Sequence, residues 1–122
     1  MYDELVAFIG LIVLELKNYI KQETTRESVD SINTIIQKLY TIQENLLDPK
    51  SYELSECNFI KDWEEEYKLS SKQYLEIKRQ HPIGYCFVAK AICKRLQKTV
   101  IIEHLYSFLD TLGHYINYYY EL

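Results

Sequence analysis

Only three glycines and two prolines occur among the 122 residues. So few turn-forming residues cannot serve the many tight connections of a β-sandwich or barrel, which sets all-β architectures aside. The glycines stand at 10, 84 and 113, too scattered to build a loop that cradles phosphate. Cysteine is scarce as well: Cys57, Cys86 and Cys93 are odd in number and show no paired spacing. On one helix Cys86 and Cys93 would lie about 10 Å apart, beyond the roughly 7 Å that a disulfide bridges between Cα atoms. Reduced thiols in a cytoplasmic protein are the expectation. There is no Cys-x-x-Cys, no His-Glu-x-x-His and no pair of Glu-x-x-His motifs, so neither a zinc nor a di-iron site is expected and no cofactor is implied. A bilayer-spanning run is missing too. The most apolar stretch, Leu5 to Leu14, is ten residues long, about half of the ~20 that a membrane helix needs. The first charges are Asp3 and Glu4, where a secretory signal carries Lys or Arg. No membrane association is expected.

What the chain does have begins with that same stretch. Leu5 to Leu14 is bounded by Glu4 and Glu15, and Leu16, Tyr19 and Ile20 continue it at helical spacing. Its length decides for a helix over a strand. A helix apolar on all sides must be covered on most of them, which predicts a helical bundle with this helix, about Tyr2 to Gln22, innermost. Thr24-Thr25-Arg26-Glu27 has the form of a capping box. Beyond it Val29, Ile32, Ile36, Leu39 and Leu46 recur at three- and four-residue steps, predicting an amphipathic helix that ends at Asp48-Pro49. Residues 48 to 57 read as the longest irregular stretch. A third helix is expected near Asn58 to Leu69, with Phe59, Ile60, Trp63 and Tyr67 inward. Ser70-Ser71-Lys72-Gln73 offers a second capping box and a short helix through Tyr74, Leu75 and Ile77. Further helices are expected over about Pro82 to Lys98 and Thr99 to Tyr120, with the junction at Lys98-Thr99 either capped or continuous. The fold expectation is therefore one all-α domain over residues 1–122, an antiparallel bundle of four to five helices.

Charge is unevenly distributed. Residues 51–70 carry a net −4, residues 71–98 a net +6, and the whole chain −4. Opposite blocks on neighbouring helices attract across a bundle surface, each exposed pair contributing about 0–1 kcal/mol. The basic block also allows a functional reading: Lys90, Lys94 and Lys98, spaced by four with Arg95 adjacent, would face phosphates along one helix side. Three acidic segments and the overall negative charge weigh against nucleic acid as the ligand. Glu103, Asp110 and His114 also share a helical face, but Ser107, Asn117 and Glu121 share it too, and the apolar residues lie opposite. The face reads as solvated rather than metal-binding. Cys86 and Cys93 fall in or beside apolar stripes, where cysteine acts as a small hydrophobe rather than a nucleophile. The Arg-x(4–6)-His signature of the helical ribonucleases called HEPN domains is not met, because Arg79 and His81 are too close and Arg95 and His104 too far apart.

Twelve tyrosines against four phenylalanines and one tryptophan suit surfaces that are half buried or become buried on binding. Tyr118, Tyr119 and Tyr120 are consecutive and span about 200° of a helix, so at least one faces outward. Exposed tyrosine beside carboxylates is the chemistry expected of a surface that meets a basic protein. The candidate surface comprises Glu64, Glu65 and Glu66, or the C-terminal set Asp110, Tyr118, Tyr120 and Glu121. The resulting expectation is a non-enzymatic binding protein, an acidic inhibitor or immunity-type protein that neutralises a basic toxin or effector. It rests on an analogy of composition and fold class. The alternatives are a phosphate-binding module using Lys90, Lys94, Arg95 and Lys98, and a structural subunit or homodimer joined through helix 2 or the tyrosine-rich end. If the first helix is core, Ile12→Asp should destabilise the protein by several kcal/mol through lost solvation of the carboxylate; a loss under about 1 kcal/mol in urea denaturation would remove this helix from the core.

Overall fold

The computed structural model describes residues 2–22, 25–47, 58–70, 73, 83–96 and 99–120. It contains five α-helices, α1 (Asp3–Gln22), α2 (Arg26–Leu47), α3 (Asn58–Tyr67), α4 (Ile83–Arg95) and α5 (Val100–Tyr120), and no strand among the described residues. The all-α bundle read from the sequence is the fold.

Local chemistry explains the helix ends. α1 opens with Asp3 and Glu4 and closes with Lys21, charges that complement the helix dipole at each end. α2 stops at Leu47, two residues before Pro49 in the sequence. After α3, the Ser70 amide donates to Gln73 Oε1 and the Gln73 amide to the Ser70 carbonyl, both at 2.9 Å. The first of these is the backward-reaching half of the capping box expected there; the short helix expected through Tyr74 to Ile77 lies outside the described residues. Thr99 settles the junction near Lys98. α4 ends at Arg95, and Thr99 Oγ1 accepts from the Ile102 amide at 3.4 Å while its carbonyl accepts from the Glu103 amide at 3.0 Å. Thr99 is the N-cap of a separate helix.

The helices follow an open ring order, α2, α1, α4, α5, α3, in which the last turn of α5 also meets α1 and α2. The main packing pairs are α1 with α2, α1 with α4, α4 with α5 and α3 with α5. α2 and α3 are then joined by Lys38, which donates to Glu66 Oε2 at 2.6 Å and to the Tyr67 hydroxyl at 2.9 Å. Contacts between numbered positions set the directions. Gln43, late in α2, donates to the carbonyl of Val6, early in α1, at 2.9 Å, and Arg95, late in α4, pairs with Glu4 at 2.8 Å. Trp63 and Tyr67 of α3 meet Phe108 and Tyr115 of α5 in the same order. Successive helices thus alternate in direction.

The innermost helix is α5, not α1. α5 buries eleven of its 21 residues and α1 five of its 20. α5 lies between α3 and α4, and Phe108 at its centre is fully buried. α1 has its neighbours on one side, which leaves Ala7 and Leu14 exposed despite the uncharged run. Hydropathy of a run reports what its residues prefer, and tertiary packing decides how many neighbours they receive. Gly113 lies at the α4–α5 contact, where an added Cβ would sit 3.5 Å from Cys86 Cβ and 3.6 Å from the Phe87 ring, ordinary contact distances. Gly113→Ala should therefore raise stability by roughly 0.5–1 kcal/mol through helix propensity. Phe108→Ala should lower it by about 3–5 kcal/mol through the cavity it leaves. Both are read from urea denaturation midpoints, and a destabilised Gly113→Ala would mean that the α4–α5 contact is tighter than described.

Candidate partner-binding surface

The seam between α3 and α5 is lined with rings. Phe59 meets Trp63 at 4.8 Å between centroids, Trp63 meets Phe108 at 6.3 Å, Tyr67 meets Phe108 at 6.2 Å and Tyr115 at 4.8 Å. Tyr115 then meets Tyr119 at 4.5 Å, and Tyr119 meets Tyr118 at 4.8 Å. This ladder starts in the core at Phe108 and ends at Tyr119, whose ring is 51% exposed. Edge-to-face and tilted ring pairs hold one another in place, so the outermost tyrosine is supported by the core.

The glutamates flank this ladder on α3. Glu65 and Glu66 are 62% and 56% exposed at their side chains and pair with Lys68 at 3.0 Å and Lys38 at 2.6 Å. Glu64 turns inward and accepts from Thr111 Oγ1 at 3.3 Å. Lys38 is the unexpected member. Its side chain is only 13% exposed, with the ammonium 4.7 Å from the centre of the Tyr67 ring and 5.7 Å from that of Trp63. Burial pulls its pKa down, but the bonds to Glu66 and Tyr67 outweigh that, and the ammonium is held above its ordinary value. A lysine beside aromatic faces gains cation–π attraction. Sequence periodicity carries no signal for this placement, because Trp63 and Tyr67 lie on another helix.

The C-terminal set is divided by the structure. Tyr120, expected at the surface, is 9% exposed and belongs to the core. Its hydroxyl shares a 2.6 Å hydrogen bond with Ser31 Oγ, and its ring stands 5.9 Å from Tyr19 and 6.2 Å from Tyr115. Burial pushes this phenol up to about 12, with the Ser31 bond opposing. Tyr119, which is not in the candidate set, is the exposed one instead. The last turn of α5 has α1 and α2 on the side of Tyr120, a neighbour arrangement that spacing along α5 does not encode. Tyr118 is half-buried and Glu121 lies outside the described residues. Asp110 faces α4, where it accepts from Lys90 at 2.7 Å and lies 3.7 Å from His114 Nε2. Asn117, assigned to the same solvated stripe, is buried.

Among the described residues the basic segment does not present a row of free cations. Lys90 is bound to Asp110 and lies 5.1 Å from the centre of the Tyr106 ring and 5.5 Å from that of Phe87, and Arg95 is paired with Glu4. Lys94 is exposed and borders two shallow clefts of about 340 and 300 Å³ between α4 and α5. Lys98 lies outside the described residues. Cys86 and Cys93 are buried, and burial pushes each thiol up to about 12. Neither supplies a thiolate near neutral pH; Cys57 lies outside the described residues. Among the described residues no group of His, Cys, Asp and Glu is placed to hold a metal ion, and no helix is long and apolar enough to cross a membrane. No protein-family model, curated protein or solved structure matches this chain.

The three buried acids have a measurable consequence. The ordinary values are 10.0 for the Tyr120 phenol and 9.0 for the two thiols. Above pH 9 the unfolded chain therefore loses these protons before the folded one does. Stability from these groups is fully present below about pH 9 and declines as pH rises to about 12. Urea midpoints measured across that window should fall, less steeply for Tyr120→Phe; a flat profile would show these groups to be solvated in the folded state.

Proposed function

We propose that this protein is a non-enzymatic binding module that receives a basic protein, a toxin or effector to be neutralised, on its α3–α5 edge. The observation that carries the reading is Tyr119, half-exposed yet held by Tyr115 and Tyr118 in a ladder rooted at Phe108, next to the exposed carboxylates of α3. A ring held in its bound orientation loses little entropy on association, and tyrosine is enriched among residues that dominate interface energies. The carboxylates supply steering toward a cationic surface. The pair of Glu65 with Lys68 is exposed on both sides and contributes little, so a partner's arginines or lysines can take part at Glu65, while Lys38 holds Glu66 in place. Internal pairing of Lys90 and Arg95 counts against the phosphate-binding alternative. Reduced cysteines in the cytoplasm accord with this role.

The test begins with a photo-reactive phenylalanine analogue at position 119, expressed in the source cells, and identification of whatever cross-links there. With the partner in hand, Tyr119→Ala should weaken binding by about 30-fold or more while leaving the unfolding midpoint unchanged. Glu65→Lys with Glu66→Lys should slow association and reduce its salt dependence. Unchanged affinity in both variants would remove this edge from the interface. A salt-sensitive RNA or DNA complex lost in Lys94→Ala would replace the reading with the phosphate-binding one.

A further inference from the structure

The run Leu5 to Leu14 leads back to a surface that the protomer leaves uncovered. α1 meets α2 through Val6 and Lys17, which touch Gln43 and Tyr40, and meets α4 through Phe8 and Glu4, which touch Tyr85 and Arg95. On the remaining side Ala7 is exposed and Leu14 is 50% exposed, with Leu11 half-buried between them, while Gly10 turns toward α2, where an added Cβ would sit 3.3 Å from Gln43 Nε2. The apolar surface continues across the Phe8–Tyr85 contact onto α4, where Val88 is 40% exposed. Contiguous apolar surface of this kind marks an interaction site more often than free solvent contact.

The two ends of the stripe carry opposite charge. Asp3 precedes it and Lys21 follows it, and both are exposed. Asp3 and Lys21 form no ion pair with another described residue. A helix face that is acidic at one end, apolar in the middle and basic at the other end complements itself when turned end for end. That is the requirement of a two-fold interface, in which one patch meets its own copy. A parallel copy would instead set Asp3 against Asp3 and Lys21 against Lys21.

We propose that a second copy of this chain packs antiparallel on the α1 face, crossing beside Leu11, to form a homodimer. In this register Ala7 faces Leu14 of the second copy, with its Lys21 within side-chain reach of Asp3. The small side chain at 7 lets the helix axes approach at the near end of the usual 8–10 Å range, and Leu11 and Leu14 fill the space between them. The antiparallel arrangement also opposes the two helix dipoles. This pairing covers Ala7 and Leu14, the residues of the apolar run that the protomer leaves exposed. It does not rest on the partner reading above, since the stripe shares no residue with the α3–α5 edge, and a dimer through α1 leaves both such edges open.

Sedimentation equilibrium of the full chain between roughly 1 and 100 µM tests the proposal. The expected result is a species of twice the 14.6 kDa protomer mass that dissociates at least tenfold more readily in Leu14→Glu, with the helical signal retained. Asp3→Lys should weaken the dimer, and adding Lys21→Asp to it should restore association. Cysteine placed at Leu11 should oxidise to a covalent dimer. Cysteine placed at Asn18 should not, because the antiparallel register holds those two positions about 22 Å apart. A protomer that stays monomeric at about 100 µM would overturn the proposal, as would a dimer indifferent to Leu14→Glu. Efficient cross-linking at position 18 would overturn the antiparallel register.

Discussion

The burial of α5 is the constraint on which the other helices depend. Its central residue, Phe108, is touched by Trp63 and Tyr67 of α3, and its Gly113 faces Cys86 and Phe87 of α4. α5 is therefore the surface on which two helices are placed, one on either side, and α4 in turn places α1. Large apolar side chains such as Phe108 each contribute roughly 1.5–3 kcal/mol when fully buried, and a helix that buries about half of its residues concentrates that gain in one element. What α5 lacks in exposed surface it returns as order at its last turn, where Tyr120 is bonded to Ser31 and Tyr119 remains outside.

Charge has a secondary and mostly local role. The acidic α3 and basic α4 do not pair with each other; each finds its counter-ions on a different neighbour. Glu66 pairs with Lys38 of α2, Lys90 with Asp110 of α5, and Arg95 with Glu4 of α1. The Lys38 side chain is 13% exposed although its partner Glu66 is 56% exposed, and the pair also joins α2 to α3, where no extensive helix packing does so. A charge-assisted bond flanked by aromatic faces is stronger than a solvated surface pair. The same lysine thus joins two helices and neutralises one of the carboxylates exposed on the candidate surface.

Much of the architecture was legible in the chain itself. An all-α bundle of four to five helices and the approximate helix limits follow from apolar periodicity and from the near absence of glycine and proline. These are local properties, set by residues within one or two turns of each other, whereas the break at Thr99 was left open by the sequence and decided by the structure. The inert thiols were legible for the same reason, since Cys86 and Cys93 lie within or beside apolar stripes of one helix. The glutamates of α3 were also recognisable as outward-facing in part: Glu65 and Glu66 are, whereas Glu64 turns toward Thr111.

Tertiary structure alone decided how those helices share their faces. The uncharged run of α1 reads as a centre, yet α5 occupies the centre, because coverage depends on how many helices surround an element and not on its hydropathy. Of three consecutive tyrosines, Tyr120 is the buried one because α1 and α2 stand on its side of the bundle, and nothing within α5 carries that information. Lys38 sits among rings supplied by another helix, and Asp110 is turned away from the tyrosines by Lys90 of α4. Sequence determined which residues prefer burial and which helix each belongs to. Which of them meet was decided by the ring order, a consequence of packing between positions up to 89 residues apart, as in the Ser31–Tyr120 bond.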